Sequence, residues 1–377
     1  MDVVSFARGV PAPECLPIAE MADCARAVIE RDGRTVLSYG PGGGYAPLRE
    51  WIAARHGVEP DRVVVTTSSL QGFGFLADEL VGAGNRVFVE APAYDRPLKI
   101  LSRLRADVVA VPLDDEGLDS EVLERDLRDG PPPAFLYTNP TFQNPSGRTL
   151  SLERRRHLIE VAHEHDLFIL EDDPYGLVRF EGEPLPTLFD LDGRGERVAY
   201  ASSFSKTIAP GVRVGYLVLP HELAARVEAR AVSTYISPPF LTQATVFEFL
   251  DRGIFESNLV RVNGLLRERR DAMLAALEHD FPETASWSHP QGGYFLWVDL
   301  PPDVRADDLQ VAAEGVGVTF VKGSDFFAGH LGGEHELRLA YSFVSPEQIT
   351  DGVARLAPLV GATMSAFASG GSQTKQV

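Results

Sequence analysis

The segment from Ser203 to Tyr216 reads SFSKTIAPGVRVGY, and it places Lys206 among small hydroxyl residues between two apolar runs. Arg213 follows one short loop later. Burial lowers the pKa of a lysine, so its neutral amine becomes available as a nucleophile toward an aldehyde. Hydroxyl groups and an arginine fork are suited to holding a phosphate. Together these features indicate pyridoxal phosphate, although an isolated lysine is more often a surface residue in a polar turn.

Composition limits the classes of function that the chain can serve. The 377 residues are 44% hydrophobic and 24% charged, which is ordinary for a globular protein with one large and one smaller domain. The formal net charge of -19 argues against nucleic acid or an anionic membrane as the main partner. Cys15 and Cys24 have neither metal nor redox spacing, and no signal-peptide pattern or membrane span is visible, so we expect a cytoplasmic protein.

Strand and helix patterns alternate along the middle of the chain. Strands are predicted at residues 62–66, 85–90, 107–111, 134–137, 167–171, 198–201 and 214–219. This predicts an α/β fold with a mostly parallel seven-stranded sheet in a large domain, residues 46–280. A small α+β domain is predicted from residues 17–45 and 281–364, after an arm of residues 1–16. Residues 365–377 are rich in Ser, Gly, Gln and Lys and are expected to form a disordered tail.

Polar residues follow several of these strands, at the edge where open parallel sheets bind ligands. Asp172 could hold a pyridine nitrogen protonated, although a capping role before Pro174 explains it equally well. Asn144 lies in a turn-rich loop from which its amide could reach a ring oxygen, and a plain loop is the alternative. Tyr94 could stack on a flat ring, although a single aromatic residue more often belongs to the core.

The turn at residues 66–72 joins a strand to a helix, and free N–H groups at a helix N-terminus bind phosphate unless a serine simply caps the helix. The same segment supports a rival prediction, because GFGFLA at 72–77 fits a dinucleotide pattern and Glu90 is spaced for a ribose contact. Its glycines fall inside the helical pattern, however, and an NAD-dependent oxidoreductase leaves Lys206 and Arg213 without roles. No metal site is predicted, because the sequence has no HExxH motif and residues 163–165 are expected to be a solvated helix face.

Taken in order, these motifs resemble those of fold-type-I pyridoxal-phosphate enzymes of the class I/II aminotransferase family, in its α-aminoadipate/kynurenine-type branch. The resemblance extends from about Ser5 to Leu359. It rests most on residues 203–215, on EDDPY at 171–175 and on NPSG at 144–147. Supporting motifs are YGP at 39–41 and GGYFLWV at 292–298.

The resemblance implies a role for each matched residue. Lys206 would form the internal aldimine, and Asp172 would face the pyridine nitrogen. Tyr175 and Asn144 would bond the ring oxygen. The other cofactor residues would stack on the ring or hold the phosphate: Tyr94 on the ring, and Ser69, the backbone of Leu70, Ser203, Ser205 and Arg213 at the phosphate.

Substrate contacts and assembly also follow from the resemblance. Arg338 would grip the substrate α-carboxylate, with Asn144 and Tyr39 bordering the substrate. Tyr39 would also reach the phosphate of the neighbouring subunit, which implies a homodimer with shared sites. The implied reaction is transamination from an L-amino acid to a 2-oxo acid.

Four positions depart from the family pattern around an intact cofactor set. The family usually has GSQQ where this chain has SSLQ at 68–71, so the side-chain contact at Leu70 is lost. Gly176 replaces a second tyrosine, and Arg8 replaces a smaller residue in the arm, where a surface ion pair is expected. These departures leave open a pyridoxal-phosphate-dependent lyase catalysing β- or γ-elimination, or a decarboxylating or oxidative deaminase, acting on a specialised amino acid.

Overall fold

The structure is a computed structural model that describes residues 2–193 and 195–370. Its strands are β1 (Val4–Ser5), β2 (Val63–Thr66), β3 (Arg86–Ala91), β4 (Asp107–Asp114), β5 (Gly117–Leu118), β6 (Phe135–Thr138), β7 (Ile169–Asp172), β8 (Val198–Ser203), β9 (Gly215–Val218), β10 (Ser286–Trp287), β11 (Phe295–Asp299), β12 (Val318–Thr319), β13 (Val321–Lys322) and β14 (Glu336–Ala340). Its α-helices are α1 (Ile18–Val36), α2 (Ala46–His56), α3 (Ser69–Leu80), α4 (Asp95–Leu104), α5 (Ser120–Asp129), α6 (Leu152–Glu164), α7 (Leu188–Leu191), α8 (His221–Tyr235), α9 (Phe240–Asp251), α10 (Ile254–Asp280), α11 (Ala306–Gly315) and α12 (Pro346–Gly370).

The central sheet has the order β2-β9-β8-β7-β6-β3-β4-β5. Its five middle strands, from β8 to β4, are parallel, while β9 runs antiparallel to both of its neighbours. This confirms the mostly parallel sheet, to which the two-residue strand β5 adds an eighth member. Every residue of β2, β6, β7, β8 and β9 is buried, as expected for apolar strands covered on both faces by helices.

A second, antiparallel sheet has the order β10-β11-β14-β13 and pairs Trp297 with Arg338. The start of the chain is bound to this region, because β1 pairs in parallel with β12 and the Phe6 carbonyl accepts from the Ala340 amide at 2.8 Å. The following residues, from Ala7 to Val10, therefore cross toward the carboxyl ends of the central strands. The division into arm, small domain and large domain stays a prediction.

Two stretches predicted only in outline become defined in the structure. The helical region at 222–278 divides into α8, α9 and α10, with breaks at Pro238-Pro239 and at Gly253, whose φ of 68° is left-handed. At the C-terminus α12 continues past Pro358 to Gly370, and so it includes residues 365–370 of the expected tail. Residues 371–377 lie outside the described part of the chain.

Candidate active site

A cavity of about 390 Å³ opens at the carboxyl ends of β6, β7 and β8. The arm, the starts of α3 and α4, the loop after β8 and two strands of the small sheet complete its wall. Eleven of the twelve predicted site residues line this cavity: Ser69, Leu70, Tyr94, Asn144, Asp172, Tyr175, Ser203, Ser205, Lys206, Arg213 and Arg338. Residues scattered over most of the sequence therefore meet at the edge of the sheet where ligands are expected.

Lys206 lies just beyond β8, with its amine inside the cavity. Its Nζ donates to the Gly9 carbonyl at 2.8 Å and lies 5.1 Å from the centroid of the Tyr294 ring. Burial, with smaller contributions from the positive charges of Arg338 and Arg213, lowers the pKa of Lys206 to about 8. A substantial fraction of this amine is therefore neutral near physiological pH, as a nucleophile or general base requires.

Asp172 is the last residue of β7, and its side chain is buried in the cavity wall. Its Oδ2 accepts from the Tyr137 hydroxyl at 2.9 Å, and its backbone carbonyl accepts from Asn139 Nδ2. Its Oδ1 is buried and has no hydrogen-bond partner among the described residues. Burial raises the pKa of Asp172 to about 7, while hydrogen bonds from the side chains of Tyr137 and Ser69 act in the opposite direction. An open acceptor in this setting fits a protonated ring nitrogen.

The N-terminus of α3 forms one corner of the cavity. Ser68 caps this helix by accepting from the Gln71 amide at 3.1 Å, and it lines the cavity together with Ser69 and Leu70. The first-turn amides of Ser69 and Leu70 have no intrahelical acceptor, which is a general property of helix starts. Gly215 permits this geometry, because a Cβ there would lie 2.5 Å from the carbonyl carbon of Ser68.

The loop after β8 completes the same corner. Ser203 Oγ accepts from the Ser205 amide at 3.1 Å, whereas Ser205 Oγ is buried without a hydrogen-bond partner among the described residues. Arg213 has a left-handed backbone with φ 49°, which is unfavourable for a residue with a side chain. A phosphate group fits this corner of the cavity. It could accept hydrogen bonds from the free amides of α3, from the unpartnered Ser205 hydroxyl and from Arg213.

Arg338 enters the cavity from β14. Its Nη1 donates to Asn144 Oδ1 at 2.9 Å and its Nη2 to the Ala7 carbonyl at 3.0 Å, while its buried Nε has no partner among the described residues. The rings of Phe295 and Phe326 flank the guanidinium at 4.2 and 4.9 Å. Burial lowers the pKa of Arg338 to about 10. A buried cation with an N–H still to be satisfied is suited to a carboxylate.

Two further predicted residues with aromatic rings, Tyr94 and Tyr175, line the cavity wall. Tyr94 directly precedes α4, and Tyr175 packs against Tyr294 with ring centroids 5.4 Å apart. Burial raises the pKa of Tyr94 to about 12 and raises that of Tyr175 further. Both hydroxyls therefore remain protonated near neutral pH and can act as hydrogen-bond donors.

Tyr39 is the one predicted site residue that the cavity does not include. Its side chain is 81% exposed and borders a separate groove with residues 237–241. Its expected contact involves a neighbouring subunit, so this role stays a prediction.

Sequence reasoning missed several residues that shape the site. Tyr137 and Asn139 support Asp172 from the end of β6, where the rule that ligands bind at strand ends could have found them. Gly9 contributes only a carbonyl, and Asp95 lines the cavity from the first turn of α4. Neither carries a distinctive motif. Arg8, for which a surface ion pair was expected, instead lies 4.1 Å over the ring of Phe343.

The rival dinucleotide prediction is wrong. Glu90, expected at a ribose, is buried and accepts from Thr138 Oγ1 at 2.6 Å and from Gln143 Nε2 at 2.9 Å. Gly72 lies inside α3, where a Cβ would come within 2.9 Å of the Leu217 side chain. Gly72 therefore allows α3 to pack closely against the central sheet. The Glu90 carboxylate accepts hydrogen bonds from the end of β6 and the loop that follows it.

Comparison with known proteins identifies the family of this chain. The family described as aminotransferase class I and II matches residues 3–356. The chain is 37% identical to the 2-aminoadipate transaminase of Thermus thermophilus, over 94% of this chain and 89% of that one. It is 34% identical to aromatic-amino-acid aminotransferase 1 of Thermococcus litoralis, over 95% and 88% of the two chains. The crystal structure of the α-aminoadipate aminotransferase of Thermus thermophilus, complexed with N-(5'-phosphopyridoxyl)-L-leucine, superposes with a TM-score of 0.92 at 36% identity, over 97% and 93% of the chains.

Proposed function

The chain belongs to the class I and II aminotransferase family, and from that premise we propose a role for each residue of the cavity. It is a pyridoxal-phosphate-dependent aminotransferase, which transfers the α-amino group of an L-amino acid to a 2-oxo acid. One observation carries the assignment of residues: the buried Lys206 amine shares a cavity with two unsatisfied polar atoms, Asp172 Oδ1 and Ser205 Oγ. These atoms lie on the walls that would meet the two polar ends of the cofactor.

Pyridoxal phosphate supplies an aldehyde that condenses with amines and a ring that accepts the electron pair freed at the substrate α-carbon. Asp172 would keep a proton on the ring nitrogen, and its hydrogen bond from Tyr137 would hold the carboxylate in place. Asn144 and Tyr175 would donate to the ring oxygen, while Tyr94 would cover one ring face. The phosphate would be held by the remaining residues of the corner described above: Ser69, the amide of Leu70, Ser203, Ser205 and Arg213.

Arg338 would bind the substrate α-carboxylate. Its unpartnered Nε provides one of the two N–H groups that a bidentate pair requires, and Asn144 fixes the other side of the guanidinium. Lys206 would then take the proton from the α-carbon and return it at a different carbon. Its lowered pKa suits this task, because a general base is most effective when its pKa lies near the working pH.

The homodimer and the cytoplasmic location belong to the same proposal. Leu37, Tyr39 and Ile236 are large apolar residues that are 67%, 81% and 63% exposed, and the Gly40 amide donates to Ser237 Oγ, which brings their two segments together. An exposed apolar patch of this kind is suited to a subunit interface. Both cysteines are buried and unpaired, as is usual in a reducing compartment. Within residues 2–193 and 195–370, no helix is both long and apolar enough to cross a membrane.

A half-reaction without acceptor tests the function. Cofactor-loaded protein would be mixed with single L-amino acids while the visible absorbance of the cofactor is followed. An aminotransferase should convert one equivalent of donor and then stop, and a 2-oxo acid should restore the original spectrum. Continuous product release with unchanged absorbance would indicate the lyase alternative instead.

A further inference from the structure

Tyr294 contacts both ends of Lys206, although the proposed function assigns it no role. Its hydroxyl donates to the Lys206 backbone carbonyl at 3.0 Å, and the centroid of its ring lies 5.1 Å from Lys206 Nζ. The side chain of Tyr294 is fully buried, and burial raises the pKa of its hydroxyl well above the ordinary value. The hydroxyl therefore remains a hydrogen-bond donor at any pH near neutral.

The turn that carries Lys206 is held by side chains from distant parts of the sequence. One of its backbone carbonyls, that of Phe204, accepts from two amides of the same turn, at 2.9 and 3.2 Å. The Lys206 and Thr207 carbonyls instead accept from other elements: from Tyr294, and from Asn258 Nδ2 of α10 at 2.8 Å. A turn outside helices and strands is more easily displaced than they are, so these long-range bonds help to determine where the lysine side chain begins.

The backbone before Tyr294 brings this tyrosine close to its neighbours. Gly293 has a left-handed φ of 76°, and a Cβ at Gly292 would lie 2.3 Å from the Val178 carbonyl oxygen. Tyr294 itself directly precedes β11, and its ring packs against that of Tyr175 with centroids 5.4 Å apart. Because it is fixed on several sides, Tyr294 can act as a rigid support for the lysine.

We propose that Tyr294 is a positioning residue for Lys206: its hydroxyl holds the backbone of the lysine, while its ring limits the space open to the amine. This inference rests on the proposed function, in which the amine takes a proton from one carbon and returns it at another. Proton transfer needs close contact between the two heavy atoms, so a small displacement of the amine lowers the rate. Loosening Lys206 should therefore slow this step while substrate binding by Arg338 persists.

Tyr294→Phe tests the hydroxyl, because it keeps the ring. With cofactor sites counted by borohydride trapping, kcat per site should fall about three- to tenfold while KM stays within about twofold. An α-deuterated donor should show an isotope effect on the single-turnover rate at least as large as in wild type, because proton transfer limits the slowed reaction. An isotope effect that falls toward one would place the lost rate in another step and contradict the inference.

A second readout needs neither cofactor nor turnover. In the cofactor-free protein, acetylation of Lys206 by acetic anhydride at a series of pH values, followed by mass spectrometry, reports the pKa of the amine. In Tyr294→Phe that pKa should rise above the wild-type value of about 8, because a lysine released from its support gains access to solvent.

Tyr341→Phe is the matched control. It deletes a buried hydroxyl that supports the same segment, but at the Gly292 carbonyl, at 3.0 Å, rather than at Lys206. Both kcat and the Lys206 pKa should stay unchanged in this variant. The inference is overturned if Tyr341→Phe reproduces the changes, or if Tyr294→Phe behaves as wild type. If wild-type protein transfers no amino group at all, the proposed function fails instead, and the acetylation of cofactor-free protein still decides whether Tyr294 controls the amine.

Discussion

The two ends of the cavity are built in different ways. The proposed cofactor end comes from the carboxyl ends of adjacent strands, where Asp172, Tyr137 and Asn139 form a buried network beside Lys206. The proposed substrate end is assembled from the arm, the start of α4 and β14, which contribute Ala7, Asp95 and Arg338.

The residues proposed to hold the cofactor and those proposed to recognise the substrate therefore lie on different structural elements. The residues of the cofactor end lie at the ends of neighbouring parallel strands. The central sheet therefore determines their relative positions. The substrate end depends on segments that are distant in sequence and pack from opposite sides, so a change in one segment can alter recognition while the cofactor contacts persist. If the two ends are independent, a substitution at one end should leave the contacts of the other end unchanged.

Replacement of Lys206 by alanine should have the largest effect, because the chemical step loses both its amine nucleophile and its general base. We expect transamination to fall by at least about 10⁴-fold. Steady-state turnover with a reactive amino acid measures this. Lys322→Ala, which removes a lysine paired with Asp307 at 2.5 Å, is the matched control and should retain activity. Substantial turnover in the Lys206 variant would contradict the assignment.

Arg338→Met should weaken substrate binding without affecting cofactor binding. Loss of a buried charged partner should lower kcat/KM by about 10²- to 10³-fold, mainly through KM, because the α-carboxylate loses its bidentate contact. The visible spectrum of the bound cofactor should stay unchanged. Arg305→Met, at a half-exposed arginine near Asp307, is the control. Loss of cofactor binding in the Arg338 variant would show that the two ends are not separable.

Asp172→Asn should slow the chemical step without weakening substrate binding. An amide cannot keep the ring nitrogen protonated, so kcat should fall by about 10²- to 10³-fold while KM changes little. Measurement of both constants and of the cofactor spectrum distinguishes this result from that of the Arg338 variant. A variant with normal kcat would remove Asp172 from its proposed position.

Tyr137→Phe should also lower kcat, but by a smaller factor than Asp172→Asn. It deletes the 2.9 Å hydrogen bond to Asp172, and a hydrogen bond to a charged group corresponds to roughly tenfold in rate. Tyr341→Phe deletes another buried tyrosine hydrogen bond, to the Gly292 carbonyl at 3.0 Å, outside the cavity. Equal losses of kcat in both variants would point to a general effect on folding rather than to support of Asp172.

Cofactor uptake by the cofactor-free protein should depend on pH. The folded-state pKa of Lys206 is lowered to about 8 from an ordinary value of 10.5, so the neutral amine becomes the major form above about pH 8 rather than above pH 10.5. The uptake rate should rise by up to about tenfold between about pH 7 and 9 and level off above that. Stopped-flow absorbance measures it. A rate that still rises beyond about pH 10 would mean that Lys206 is not desolvated.

The sequence was informative where chemistry is concentrated in one segment. The alternating pattern predicted the central sheet, and the SFSK motif and the strand-end aspartate lie among the predicted residues that the structure brings together in one cavity. Long-range assembly was harder to foresee, because no local pattern reveals that the Gly9 carbonyl meets Lys206 or that Ala7 meets Arg338. In the sequence Asp95 resembles any acidic residue at the start of a helix, and only the structure shows that it lines the cavity.

The most direct test of the account identifies the lysine that carries the cofactor. Holoenzyme would be reduced with borohydride, digested and analysed by mass spectrometry for the phosphopyridoxyl group. The sequence has four lysines, Lys99, Lys206, Lys322 and Lys375, so the site can be assigned without ambiguity. The account predicts modification of Lys206 at one equivalent per chain. Modification of another lysine, or of none, would contradict it.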